Sequence, residues 1–178
     1  MSKVTIAGDV NGTGVFTIAA PNGNINRTLT LPDATGTVLS TATPGVPIGG
    51  PAFSAYQSSA QTVSSSASTK ILFQTKEFDT NNNFASSAFT PTVAGYYQIS
   101  AAISPGVSAS NMWCSVYKNG SEFKRGNIVS NTAGVSVLVY CNGSTDYIEI
   151  YGNLATGQAL SALSFTTYFQ AAMVRSAT

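Results

Sequence analysis

No stretch of this 178-residue chain sustains a helical period, and that property narrows its fold more than any other. Nearly every window is rich in β-branched and aromatic residues and is broken by Gly, Pro or Asn within about ten residues, which ends a helix before it can bury a face. The expected class is all-β. Strand candidates recur at regular spacing over 69–74, 96–103, 112–118, 135–140, 147–151 and 164–173, a pattern that suits a sandwich or barrel. In 147–151 the period of two puts Ile148 and Ile150 on a core face and Tyr147, Glu149 and Tyr151 on the other. Asn119-Gly120 and Asn142-Gly143 tolerate the positive φ angles of tight hairpin turns.

The clearest break falls between Ser40 and Pro51, where prolines remove donors and glycines remove side-chain packing. We therefore divide the chain into an N-terminal segment 1–40, a Pro/Gly linker 41–51 and a domain 52–178. In the first segment 15–21 and 28–32 alternate apolar with polar, each ends at a proline (Pro21, Pro32), and Asn22-Gly23-Asn24 supplies turn residues between them. Two short strands are not stable alone in water. The segment is expected to gain order by packing on copies of itself or on another protein, with Val38-Leu39 extending the same surface.

Charge excludes several functions. Eight basic and seven acidic residues give +1, and the bases are scattered from Lys3 to Arg175, so nucleic acid is not an expected partner. No run of about 20 apolar residues suggests membrane insertion, and MSKVTIAGDV lacks the pattern of a secretory signal, so synthesis in a cytoplasm is expected. Cys114 and Cys141 sit in apolar runs without metal-ligand spacing and are expected as buried free thiols. The sequons at Asn11, Asn26, Asn119 and Asn142 matter only in a secreted eukaryotic chain. Histidine is absent, which removes the usual serine triad and the usual partner of a Cys nucleophile. The close carboxylate pairs are Glu77 with Asp79 and Asp146 with Glu149, and alternation puts the latter two on opposite strand faces, against joint action. No enzyme, cofactor or metal is expected.

Within 73–101, Phe73, Asp79, Phe84, Phe89, Gly95 and Tyr97 follow the order of the C1q-domain signature, and Phe89-Thr90-Pro91 and Ala94-Gly95-Tyr96-Tyr97 lead into its strand. Val116-Tyr117-Lys118-Asn119-Gly120 resembles the family's Lys-Asn-Gly hairpin. Asp146-Tyr147-Ile148-Glu149-Ile150 resembles a late strand, with Thr145 where Gly is usual, and Phe165-Thr166-Thr167-Tyr168-Phe169 resembles the closing strand. Ile99 and Ala101 stand where aromatics are usual. The resemblance covers 52–178 and implies a C1q/TNF-like jelly-roll sandwich of about ten strands that forms a homotrimer. It carries over no calcium site, because acids are too few to cluster. The collagen repeat that usually precedes such domains is absent. In its place, Arg27-Thr28-Leu29-Thr30-Leu31-Pro32-Asp33-Ala34-Thr35-Gly36-Thr37-Val38-Leu39 resembles a segment of bacteriophage fibre and tail proteins.

The combination implies a phage virion structural protein. Residues 1–40 are expected to dock on other virion proteins, and the trimeric head to meet a host cell-surface glycan or protein. A capsid-decoration trimer is the competing expectation, and a stem of only about 50 residues favours decoration or a stubby fibre over a long fibre at ~3.3 Å per residue. Tyr96, Tyr147, Tyr151 and Tyr168 are the trimer-interface candidates, with sugar stacking or partial burial as the other readings of the same rings. Asn81, Asn82 and Asn83 are the receptor-loop candidates, Ser64-Ser65-Ser66 form a second polar loop, and Lys124-Arg125 is a weak contact for an anionic surface. Trp113, between Met112 and Cys114, reads as packing.

Overall fold

A computed structural model describes residues 49–154 and 157–177, together with 11–13, 17, 23 and 24. The chain divides into two compact units, Met1–Thr37 and Val38–Thr178. The described residues of the first are exposed, with a turn at Asn11 and a bend at Gly23 and Asn24. The strands expected over 15–21 and 28–32 lie outside the described residues except for Thr17, as does the linker up to residue 48.

The second unit is an antiparallel sandwich of β1 (Ala52–Tyr56), β2 (Thr69–Lys70), β3 (Thr75–Asp79), β4 (Phe84–Ala85), β5 (Ala88–Phe89), β6 (Ala94–Ile103), β7 (Trp113–Lys118), β8 (Ser121–Arg125), β9 (Ala133–Asn142), β10 (Ile148–Asn153) and β11 (Tyr168–Ser176). One sheet has the order β3-β1-β11-β6-β9; the other runs β4-β5-β10-β7-β8, with β2 also paired to β10. Alternation explains the long strands. In β6, Tyr97, Ile99, Ala101 and Ile103 are buried while Tyr96, Gln98 and Ser100 turn outward, and in β10 Ile148 and Ile150 are fully buried as expected.

Residues that carried the C1q resemblance meet in the core. Phe53 stacks on Phe84 at 4.5 Å between ring centroids and contacts Phe89 at 4.7 Å and Phe169 edge-on at 4.8 Å; Phe73 reaches Phe169, and Phe89 reaches Tyr97. Edge-to-face and offset pairs of this kind add to their burial. Gly95 is required because a Cβ there would lie 2.5 Å from the Arg175 carbonyl on β11. The signature thus reports packing and close backbone approach, not a reactive site.

Asn119 and Gly120, with φ of 52° and 77°, form the expected two-residue hairpin between β7 and β8. Asn142-Gly143 does something else. It joins β9 of one sheet to β10 of the other, so it is a crossover and not a hairpin. The Asn142 side-chain oxygen accepts from the N–H groups of Ser144, Thr145 and Asp146 and winds the chain across. The strand expected over 164–173 begins later, at Tyr168, because Thr166 and Thr167 N–H donate to the Leu163 carbonyl and close a turn.

The two ends of the sandwich differ. The chain comes in at Pro51, whose carbonyl accepts from Met173 N–H, and leaves beside Ala94, whose carbonyl accepts from Ala177 N–H. β1 runs away from this near end to Tyr56, opposite Tyr168 at the start of β11, and β6 ends at Ile103, opposite Ala133 at the start of β9. The far end is therefore built from the connections 57–68, 104–112, 126–132 and the segment leading into β11.

Candidate functional site

The four candidate tyrosines do not share a face. Tyr96 lies on the outer face of the five-stranded sheet beside Tyr140, with ring centroids 5.5 Å apart, and Tyr168 lies on β11 opposite Tyr56. Tyr151 belongs to β10 of the other sheet, and Tyr147 lies in the connection just before that strand.

The polar groups around Tyr151, Glu149 and Glu122 on that second face are paired with one another, while Trp113 Nε1 is buried without a hydrogen-bond partner among the described residues. Tyr151 stacks on Tyr117 at 3.9 Å and 23°, so each ring covers a face of the other. Burial, and then the Glu149 charge, raise the Tyr151 phenol. Glu149 is paired with Lys70 at 2.6 Å. The Arg125 guanidinium lies 4.8 Å over the Trp113 ring and grips Glu122 with two hydrogen bonds of 2.7 and 2.8 Å, while Ser115 donates to the same carboxylate. A pyranose needs an open ring face, and these rings offer little. The arrangement also ties down Arg125 of the expected Lys124-Arg125 contact. Tyr117 is a further outward tyrosine on this face, marked in the sequence by its alternation with buried Val116.

The outer face of the five-stranded sheet is different. Strands β1, β11, β6 and β9 carry a single charged residue, Arg175, while the edge strand β3 carries Lys76, Glu77 and Asp79. Leu138 is 54% exposed and Phe78 51%, and Tyr96, Tyr140 and Val174 stand out as well. Between them lie two shallow depressions, one lined by Ala52, Phe78, Gln98, Ser100, Gln170 and Ala172, the other by Tyr96, Leu138, Val174 and Arg175. Along the β6–β9 ladder the outward pairs shrink from Tyr96 opposite Tyr140, through Gln98 opposite Leu138 and Ser100 opposite Ser136, to Ala102 opposite Gly134. Along β6 and β9 the far half of the ladder carries small side chains, while Tyr168 and Tyr56 stand beside it on β11 and β1.

The expected receptor loop sits at the near end, since Thr80 N–H donates to the Ala52 carbonyl where the chain comes in. Asn83 is buried, and its side chain serves the loop: the amide donates to the Asn81 carbonyl and the oxygen accepts from Thr92 N–H and hydroxyl. Asn81 and Asn82 are exposed, with Asn82 at φ 53°. Ser64 and Ser66 join through their hydroxyls at 3.0 Å in a local turn at the far end.

The carboxylates hold loops. Asp79 accepts from Asn83 and Phe84 N–H, and Asp146 accepts from the Asn119 amide at 2.7 Å and from Asn142 N–H, with Lys118 Nζ at 2.9 Å. Burial pushes both carboxyls up, but those donors and the nearby lysines outweigh it and hold them below the ordinary range. Glu77 accepts from Ser54 at 2.6 Å. Cys114 and Cys141 are buried free thiols, raised by burial to about 12 and about 11, so neither is a thiolate at neutral pH. No group of three His, Cys, Asp or Glu suited to a metal occurs among the described residues.

No family model matches the chain, and no curated protein matches it. Solved structures do. Murine APRIL at pH 8.0 matches with a TM-score of 0.57 at 12% identity, covering 70% of this chain and 99% of that one. The globular domain of zebrafish complement 1qA protein matches with a TM-score of 0.53 at 16% identity, covering 71% and 98%. At these identities the likeness establishes the fold: an all-β sandwich of the C1q/TNF-like jelly-roll type.

Proposed function

We propose that the chain is a structural protein of a virus particle, a bacteriophage fibre or short appendage. It docks through residues 1–40, assembles as a homotrimer through its C1q/TNF-like head, and presents that head to the host surface. The observation that carries the assembly is the outer face of the five-stranded sheet, where Leu138, Phe78, Tyr140 and Val174 are half exposed around small, uncharged side chains. Such a face costs little to dehydrate and forms interfaces by shape and apolar area. A cyclic trimer brings different patches of neighbouring copies together, so one face is enough for closure if it meets an edge of the next copy.

The virion role is supported by the likeness of 27–39 to phage fibre segments and by the low charge of the whole chain. The mechanism is structural and not catalytic. Three weak contacts on one rigid head engage a cell together, and the second and third form at high effective concentration.

The test is to delete the chain from the particle and measure adsorption, with the molar mass of the full chain followed by light scattering. A trimer whose loss abolishes adsorption is the expected result. A monomer at micromolar concentration sinks the assembly, and unchanged adsorption with a fragile shell turns the protein into a capsid-decoration trimer.

A further inference from the structure

At the far end of the sandwich the connecting segments lose their charge, and the flanking Lys70 and Arg125 are paired with Glu149 and Glu122. Segments 57–68, 104–112, 126–132 and 157–167 contain no Asp, Glu, Lys, Arg or His, although surface connections are where such residues normally collect. Large apolar side chains stand out from three of these segments instead: Val107 at 63% exposure, Ile128 at 61%, Leu163 at 49% and Phe165 at 75%. Phe165 is carried on the turn closed by Thr166 and Thr167 N–H donating to the Leu163 carbonyl at 3.0 and 3.2 Å.

The segments form one laced surface. Gly106 N–H donates to the Ala159 carbonyl at 3.1 Å, Ser161 N–H to the Ser104 carbonyl at 2.8 Å, and Asn131 N–H to the Ala109 carbonyl at 3.1 Å. The Ser104 hydroxyl reaches the Asn131 carbonyl at 3.3 Å. Asn111 and Asn131 are held at φ of 50° and 72°, conformations that asparagine tolerates and that the lacing fixes. A surface fixed in advance loses less freedom on binding.

Its chemistry selects the occupant. Anionic lipid or phosphate-rich glycan calls for Lys and Arg, which these segments lack. Membrane-interface anchors are Trp and Tyr flanked by bases. A sugar stacks on flat aromatic faces, and of the four projecting groups three are aliphatic. Apolar knobs in a charge-free setting of Ser, Thr and Asn match the centre of a protein–protein interface, with adaptable hydrogen bonders around apolar anchors.

We infer that the far-end loops are the attachment surface, and that they bind a protein on the host cell through an uncharged recess that takes Phe165 and Leu163. This rests on the host-attachment reading above and names its site and partner class. It also moves the contact from the Asn81–Asn83 loop at the near end to the end away from where the chain comes in.

The test uses the labelled full chain on cells that support growth of the particle. The double variant Leu163→Ser/Phe165→Ser is expected to keep the wild-type molar mass and to lose binding roughly tenfold or more, as interface anchors do, while Asn81→Ala binds as wild type. Raising salt from about 0.1 to about 0.5 M leaves wild-type binding unchanged, because screening acts only on charge. Proteinase treatment of the cells removes binding, and periodate treatment does not. Wild-type binding by the double variant overturns the inference and leaves host attachment standing. Periodate-sensitive, proteinase-resistant binding makes the partner a glycan and overturns it too, and a change of molar mass in the double variant makes the tip an assembly contact. Failure of the wild-type chain to bind any such cells removes the attachment reading itself, and the inference with it.

Discussion

Asp146 shows how a single side chain holds two connections in register. Its carboxylate takes the Asn119 amide, the Asn142 N–H and the Lys118 ammonium, while the Asn119 oxygen accepts from Tyr147 N–H, so the β7–β8 hairpin and the β9–β10 crossover are locked together. The folded-state carboxyl lies below its ordinary 3.8, as does that of Asp79. Stabilisation from both is therefore complete above the ordinary value and is lost as pH falls through the lower folded-state values. Urea unfolding followed from pH 7 down to about 2 should show stability dropping below about 4. Asp146→Asn should be less stable at pH 7 by about 1–3 kcal/mol, since a charge-assisted bond is lost and a donor meets a donor, and its acid-side slope should be shallower. A slope equal to wild type would mean that the clamp does not titrate with folding. Phe53 makes a second case at this scale: it touches Phe84, Phe89 and Phe169 with 1% exposure, and Phe53→Ala should cost about 3–5 kcal/mol in the same assay. A loss below about 1 kcal/mol would show that the surrounding rings collapse into the space.

Among the elements, two Asn-Gly pairs that look alike in the sequence have different jobs, and glycine substitution should separate them. Gly120 and Gly143 both have positive φ, 77° and 73°. A Cβ on Gly120 meets only the Tyr147 hydroxyl at 3.3 Å, which can swing away, whereas on Gly143 it would lie 2.4 Å from the Ala94 backbone nitrogen. Gly120→Ala should cost about 1–2 kcal/mol for the left-handed backbone alone. Gly143→Ala should cost clearly more by chemical denaturation, and equal losses would mean that the crossover yields easily. The same contrast explains what was legible in advance. Strands with one buried face, such as β6, β9 and β10, announce themselves by alternation. β8 does not, because all five of its residues are exposed and it is held at the sheet edge by the hairpin turn and the Ser115–Glu122 bond. The sequence pattern starts β11 too early because Phe165 continues the apolar rhythm while projecting from a turn. Local alternation marks the face a tyrosine such as Tyr96 or Tyr151 takes, but which sheet it joins depends on long-range pairing, such as β10 with β7, that no local pattern encodes.

For the whole molecule, the two sheets divide the labour between self-sufficiency and association. On the six-stranded side Lys70 is paired with Glu149, Arg125 with Glu122, and Tyr117 with Tyr151. On the five-stranded side β1, β11, β6 and β9 carry one charged residue, Arg175, the other charges of that sheet lie on the edge strand β3, and the large outward side chains around Leu138 are half exposed. A substitution that adds charge to that second face should therefore act on assembly and not on folding. Leu138 is opposite Gln98 and already half in water, so Leu138→Glu should change the stability of the isolated head by no more than about 0.5 kcal/mol. In a closed trimer it would bury an unpaired carboxylate in each contact, at an effective cost of several kcal/mol per ion. Light scattering should then find a trimer for the wild type and a monomer for Leu138→Glu, with Tyr147→Ser, just before β10 of the opposite sheet, still trimeric. Because Arg175 is the single charge on the four strands β1, β11, β6 and β9, dissociation on dilution should depend only weakly on salt. If Tyr147→Ser dissociates the assembly and Leu138→Glu does not, the copies meet through the six-stranded sheet, and the uncharged face must then be covered by something other than a second copy.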